Sequence, residues 1–145
     1  MSTALNNLPA LEITRTFDAE PARVFDAWLS KSWGEWAGPS PVRGEVVLME
    51  PRVGGHYRVV MHMPDGNSLT VGGTYREIVR HSKLVFTWKW EHESGDTLVT
   101  LRFHATGNKT VMQLTHEGLQ TRERRESHSG GWNGTFDKLA AHLAK

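Results

Sequence analysis

The chain has no cysteine among its 145 residues. This absence excludes disulfide bonds, thiolate metal sites and cysteine nucleophiles, and it is compatible with a reducing compartment. No stretch approaches the roughly 18 consecutive apolar residues that a membrane helix needs, and the N-terminus lacks the basic and apolar regions of a secretory signal. We therefore expect a cytoplasmic protein with no insertion into a membrane.

Net charge is also nearly absent, because 17 lysines and arginines face 16 aspartates and glutamates. Nothing in this balance favours nucleic acid or an anionic membrane surface as a partner. The one dense charge run, residues 122–126, mixes both signs and is typical of a solvated helix face. With no linker or repeat, residues 1–145 fit a single domain, whose first ten or so residues we expect to be flexible.

The first half of the chain changes from strand to helix and back to strand. Residues 11–17 alternate between apolar and polar positions, which predicts a strand. Pro21 then opens an amphipathic helical pattern, and a second short helical piece carries Trp33 and Trp36. Between Val42 and His116, short turns separate six strand-like runs, which predicts antiparallel hairpins with no parallel sheet.

After Gly118 the apolar period becomes that of a helix. Thr121 can cap this helix, and one stripe follows at spacings of three and four residues, formed by His128, Trp132, Phe136, Leu139 and Leu143. All apolar faces are buried only if the sheet curves around this helix. We therefore predict an α+β fold with a curved seven-stranded antiparallel sheet around a long C-terminal helix and two short helices between strands 1 and 2.

The segment Leu84 to Trp90 is the most aromatic strand of the chain. Strict alternation places Leu84, Phe86, Trp88 and Trp90 on one face. So much flat surface needs a cover, and each indole N–H needs a partner. We expect the face to look at the closing helix, with a mostly apolar cleft near one end of the curved sheet.

Three glycines interrupt the helical pattern of the C-terminal segment: Gly130, Gly131 and Gly134. Each costs about 0.8 to 1 kcal/mol relative to alanine inside a helix. Two interpretations stay open here. The glycines either leave room for a pocket, or they reflect close helix packing or a helix that begins later.

Glycine pairs also occur among the predicted strands. Gly54-Gly55 and Gly72-Gly73 are too short for phosphate loops, and we interpret them as bulges or bends of the sheet. Glu77 shares the strand parity of Tyr75, so it is either an inward carboxylate or a solvent-facing one.

Seven aromatic and polar side chains are expected to converge at the cleft. The tryptophans would form its walls, and the tyrosine and histidines its polar anchors: Trp36, Tyr75, Trp88, Trp90, His116, His128 and Trp132. A metal site is not expected, because His116 and His128 have no third ligand at helical or hairpin spacing. Ser127 next to His128 is not part of a G-x-S-x-G motif, which excludes a serine hydrolase of that type. No cofactor is expected.

Taken in order, several motifs resemble those of the activator-of-heat-shock-protein-90-ATPase homologue family, within the START-like, birch-pollen-allergen-like superfamily that is also called SRPBCC. They extend from about Ile13 to Leu143 and include Thr16-Phe17-Asp18-Ala19, Trp36-Ala37-Gly38-Pro39, Gly73-Thr74-Tyr75-Arg76-Glu77-Ile78, His116-Glu117-Gly118-Leu119 and Gly131-Trp132. This resemblance implies the helix-grip fold, with a hydrophobic cavity between sheet and C-terminal helix. It also implies relatives that bind lipids, hormones or polyketides, some of them cyclases or hydrolases.

Three hypotheses about function follow. The first is a domain that binds a small hydrophobic or aromatic molecule in the cavity. The second is a polyketide-cyclase-like or other enzyme that uses the same cavity, with His116 or His128 as general base. The third is a stress-related interaction or co-chaperone module that binds a protein through the outer face or an edge of the sheet. Because this chain shows no separate chaperone-binding module, the resemblance by itself does not imply the co-chaperone activity in the family's name, and a homodimer stays open.

Overall fold

A computed structural model describes residues 9–145 of the chain. The strands are β1 (Leu11–Phe17), β2 (Arg43–Met49), β3 (His56–His62), β4 (Ser68–Val79), β5 (Lys83–Trp90), β6 (Thr97–Thr106) and β7 (Lys109–Glu117). The helices are α1 (Pro21–Trp28), α2 (Trp33–Trp36) and α3 (Arg122–Leu143). The prediction of a flexible N-terminus falls largely on residues 1–8, which lie outside the described part.

All seven strands form one antiparallel sheet in the order β1-β7-β6-β5-β4-β3-β2. Strands β2 to β7 follow one another as a meander because each connecting turn is short. The segment with α1 and α2 connects β1, at one edge of the sheet, to β2 at the opposite edge. This arrangement confirms the predicted α+β helix-grip fold, including the two short helices between the first two strands.

Helix α3 lies against the sheet through the predicted stripe. Its start is fixed by Thr121, whose hydroxyl accepts a hydrogen bond from the Arg124 backbone N–H at 3.0 Å. Trp132, Phe136, Leu139 and Leu143 are buried, and His128 at the beginning of the stripe is half-buried. The helix continues through its glycines without a break, so the interpretation of a later helix start is wrong.

A β-bulge in β4 decides the position of Glu77. The pairing register between β4 and β5 shifts between Tyr75 and Glu77, so the intervening residue is extra. One extra residue moves each side chain that follows it in the strand to the opposite face of the sheet. Glu77 therefore lies on the outer face, where its carboxylate contacts Lys83 Nζ at 3.1 Å. An inward carboxylate, one of the two interpretations from the sequence, is excluded.

Close approach of backbones accounts for the glycine at position 73. A Cβ atom there would collide with the carbonyl oxygen of Thr87 on the neighbouring strand. The register shifts themselves lie elsewhere, within β4 after Tyr75 and within β2 between Val46 and Leu48. The glycine pairs are thus not the bulges of this sheet.

The interior between sheet and helices is rich in aromatic rings. Trp28 of α1 lies at its centre, with ring centroids 4.8 Å from Trp36, 6.0 Å from Phe86 and 6.0 Å from Trp132. Helices α1 and α2 therefore cover one part of the concave face of the sheet, and α3 covers the remaining part. None of the helices in residues 9–145 combines the length and apolar character needed to cross a bilayer.

Candidate functional site

A groove of about 750 Å³ lies between the first half of α3 and the ends of β3, β4 and β5. It is partly open to solvent, and its wall is mainly apolar. The sheet side carries Met61, Trp88 and Trp90, and the helix side carries Trp132 and the glycine pair at 130–131. This is the concave, apolar kind of site in which small molecules bind.

Four of the seven predicted site residues line the groove: Trp88, Trp90, His128 and Trp132. Trp88 and Trp132 are in contact, with ring centroids 4.7 Å apart, and both are buried. Trp90 is partly exposed and lies perpendicular to Trp88 at 5.7 Å. The aromatic face predicted for β5 therefore meets the helix as expected and forms one wall of the groove.

The other three predicted residues lie outside this wall. Trp36 is fully buried against Trp28, because α2 turns its indole into the core. Tyr75 lies against Tyr57, with centroids 5.5 Å apart. His116 is fully buried and lies behind Trp132. All three side chains are on the inner side of the fold, but inner positions are shared between core and groove.

His128 holds Trp90 through a directed hydrogen bond. The Trp90 Nε1–H donates to His128 Nε2 at 3.2 Å. The other ring nitrogen, Nδ1, lies 2.8 Å from the carbonyl oxygen of Arg124, which can only accept. The proton of the ring is therefore on Nδ1, and both nitrogens of the neutral imidazole have partners.

His116 holds Trp132 in the same manner. The Trp132 Nε1–H donates to His116 Nδ1 at 3.1 Å. His116 Nε2 lies 2.8 Å from the hydroxyl of Thr97, which itself donates to the carbonyl oxygen of Trp88 at 2.7 Å. The hydroxyl therefore accepts from His116 Nε2–H. Two indoles of the groove wall are thus each fixed by a neutral imidazole.

Burial favours the neutral form of both rings. Desolvation, assisted by the nearby His128 and Arg124, lowers the pKa of His116 to about 3. Desolvation is also the main cause that lowers the pKa of His128 below 6.5, and Arg124 adds to it. The bond to the Arg124 carbonyl and the charge of Glu93 act in the opposite direction. To act as a general base, His128 would first have to break its hydrogen bond with Trp90, because that bond occupies the lone pair of Nε2.

The helical glycines divide between the two interpretations from the sequence. A Cβ at Gly130 or Gly131 would meet no atom within 4 Å, and both residues line the groove. A Cβ at Gly134 would instead collide with the ring of Pro39. The first two glycines therefore lie beside open space in the groove wall, whereas close packing accounts for the third.

Charged side chains surround one end of the groove. An Nη2–H of Arg124 donates to Glu93 Oε1 at 3.0 Å, and both side chains are about one-third exposed. Glu123 and Glu126 lie in the first two turns of α3 beside them. Within residues 9–145, no group of three or more histidine, aspartate or glutamate side chains is arranged to hold a metal ion.

Sequence reasoning missed the part of the groove that comes from other segments: Trp33, Gly38, Pro39, Val42, Met61, Met63, Leu69, His92 and Glu93. Met61 could have been found, since Tyr57, Val59 and Met61 alternate as buried residues of β3. Met63 and Leu69 flank the turn between β3 and β4. Their place beside α3 depends on the curvature of the sheet, which no local pattern specifies.

The family model described as "Activator of Hsp90 ATPase homolog 1-like protein" matches residues 18–144. Among curated proteins, none matches the chain.

Several solved structures are similar to this one. Protein CV1439 from Chromobacterium violaceum has a TM-score of 0.88 and 23% sequence identity, over 94% of this chain and 98% of that chain. The AHSA1 protein SPO3351 from Silicibacter pomeroyi has a TM-score of 0.81 and 26% identity, over 93% and 97% of the two chains. CalU16 from Micromonospora echinospora has a TM-score of 0.69 and 20% identity, over 92% and 75%. These similarities extend over nearly all of the present fold.

Proposed function

The chain belongs to the activator of Hsp90 ATPase homolog 1-like family, and we propose that it binds a small hydrophobic or aromatic molecule in the groove between α3 and the sheet. One observation carries this proposal. The helix lacks side chains at Gly130 and Gly131, which border open space in the groove that Trp88 and Trp90 also line. A helix that served only to cover the sheet would gain stability from larger residues at these positions.

The wall is suited to such a ligand for two reasons. Apolar surface removed from water contributes about 25 cal/mol per Å², before the costs of association. In addition, hydrogen bonds to histidines fix the rings of Trp90 and Trp132 before a ligand arrives. A preformed wall loses little side-chain entropy on binding.

The proposal is tested by filling the groove from the helix side. In Gly131→Leu the new side chain occupies the open space, so we expect ligand binding to be lost while the fold is retained. Leucine is also a better helix former than glycine, so the free energy of unfolding should not fall. The measurement is a screen of hydrophobic and aromatic compounds by tryptophan fluorescence, followed by calorimetric titration of the hits.

Asn133→Leu is the matched control, because it adds the same side chain at an exposed position of α3 outside the groove. This variant should bind as the natural chain does. If no compound class gives a saturable signal with the natural chain, or if Gly131→Leu binds as tightly as it does, the proposal is wrong.

A further inference from the structure

We propose that the preferred ligand of the groove is an organic cation, in which a protonated amine or quaternary ammonium group is attached to an apolar or aromatic body. This inference rests on the proposed function, since it names the ligand class of the same groove. Three features carry it: the neutral state of His116 and His128, the surplus of carboxylates at the mouth of the groove, which is the end surrounded by charged side chains, and the orientation of the indoles.

The two histidines that hold indoles of the groove wall supply no positive charge. His128 accepts from Trp90 at one nitrogen and donates to a carbonyl oxygen at the other. His116 accepts from Trp132 and donates to the Thr97 hydroxyl. Each pattern requires a ring with a single proton. A carboxylate ligand would therefore find no imidazolium at either of these two rings.

The guanidinium of Arg124 is the one permanent positive charge among the described residues of the groove wall, and it is already paired with Glu93 at 3.0 Å. Glu123 and Glu126 add two more carboxylates, so negative groups outnumber positive ones by three to one. The partial positive charge at the start of α3 is offset by the hydroxyl of Thr121 and by Glu123 in the first turn. The mouth of the groove therefore favours a cation over an anion.

The aromatic wall of the groove also favours a cation over an anion. The face of an indole ring carries the negative end of its quadrupole and attracts a cation more strongly than the face of the other aromatic side chains. Trp88 and Trp90 stand at an interplanar angle of 87°, and Trp90 is partly exposed. A ligand whose apolar body lies along Trp88 and Trp132 can place a positive group near Trp90 and the glutamates.

Two matched sets of ligands test the inference by calorimetric titration at pH 7 and low ionic strength. The first set is decylamine, decanol and decanoate, and the second is naphthylmethylamine, naphthalenemethanol and naphthoate. Within each set we expect the amine to bind most tightly, on the order of tenfold more tightly than the carboxylate. Added salt should reduce this ratio, because exposed charges are screened.

The double variant Glu123→Gln/Glu126→Gln should weaken binding of the amine and strengthen binding of the carboxylate. The control Glu12→Gln/Asp18→Asn makes the same change of net charge at exposed positions outside the groove and should leave the ratio unchanged. A carboxylate or an alcohol that binds as tightly as the amine overturns this inference and leaves the proposed function standing. If no member of either set binds the natural chain, the proposed function itself fails.

Discussion

The indole N–H of Trp90 donates to His128 Nε2 at 3.2 Å and so joins the last residue of β5 to the second turn of α3. This bond connects the sheet side of the groove wall to its helix side. It exists only with a neutral imidazole, because a protonated His128 would present N–H groups at both nitrogens. Protonation of one side chain therefore changes both the groove wall and the contact between its two sides.

The first prediction concerns pH. The folded protein lowers the pKa of His128 below 6.5, so the unfolded chain takes up more protons in acid than the folded chain does. The free energy of unfolding should therefore decrease as the pH falls below 6.5. His116, with a pKa of about 3, contributes to the same trend but stays neutral in the folded protein down to much lower pH. Urea denaturation at a series of pH values measures this slope.

A variant isolates the contribution of His128 to this dependence of stability on pH. In His128→Gln the amide oxygen can accept from Trp90 and does not titrate, so the slope between pH 6.5 and 4.5 should be smaller than in the natural chain. His92→Gln is the control, because His92 is exposed and lies 6.4 Å from the Trp90 ring without bonding to it. An unchanged slope in His128→Gln would contradict the role given to this pair.

The second prediction contrasts two glycines of α3. Gly130→Ala should raise the free energy of unfolding by about 0.8 to 1 kcal/mol, because alanine favours the helix and its methyl group enters open space. Gly134→Ala should instead lower it, because the methyl group collides with Pro39. Thermal and chemical denaturation of both variants measure the difference. Equal effects at the two positions would show that the glycines do not have separate roles.

The third prediction concerns the buried hydroxyl that supports His116. Thr97→Val keeps the shape of the side chain but leaves the His116 Nε2–H without its acceptor, and should cost about 1 to 3 kcal/mol of stability. Thr100→Val is the control on the same strand, since Thr100 has the opposite parity and faces outward. If Thr97→Val loses no more stability than Thr100→Val, the Thr97 hydroxyl does not support the histidine.

The fold could be predicted from sequence because its signals are local. Alternation in the strands, the short turns of the meander and the stripe from Trp132 to Leu143 each depend on neighbouring residues, and only one arrangement buries them all. The Thr121 cap was predicted for the same reason. The inward or outward position of Glu77 depends on a bulge, and one extra residue changes the parity that the prediction used.

The site could be predicted only in part. Trp88, Trp90, His128 and Trp132 belong to two elements whose faces must meet, so their proximity followed from the fold. Whether an inward residue reaches the groove depends on what else fills the interior. Helices α1 and α2 bring Trp28 and Trp33 against Trp36, which leaves Trp36 in the core. Such competition for interior space is long-range and has no local pattern.

The measurement that tests the central claim most directly is a ligand titration followed through the six indole N–H signals in two-dimensional ¹H–¹⁵N NMR spectra. The groove proposal predicts that decylamine or naphthylmethylamine shifts the signals of the four indoles that line the groove, Trp33, Trp88, Trp90 and Trp132, in a saturable way. Trp28 and Trp36, buried away from the groove wall, should stay in place. Shifts confined to Trp28 and Trp36, or no shift at any indole, would contradict a ligand site between α3 and the sheet.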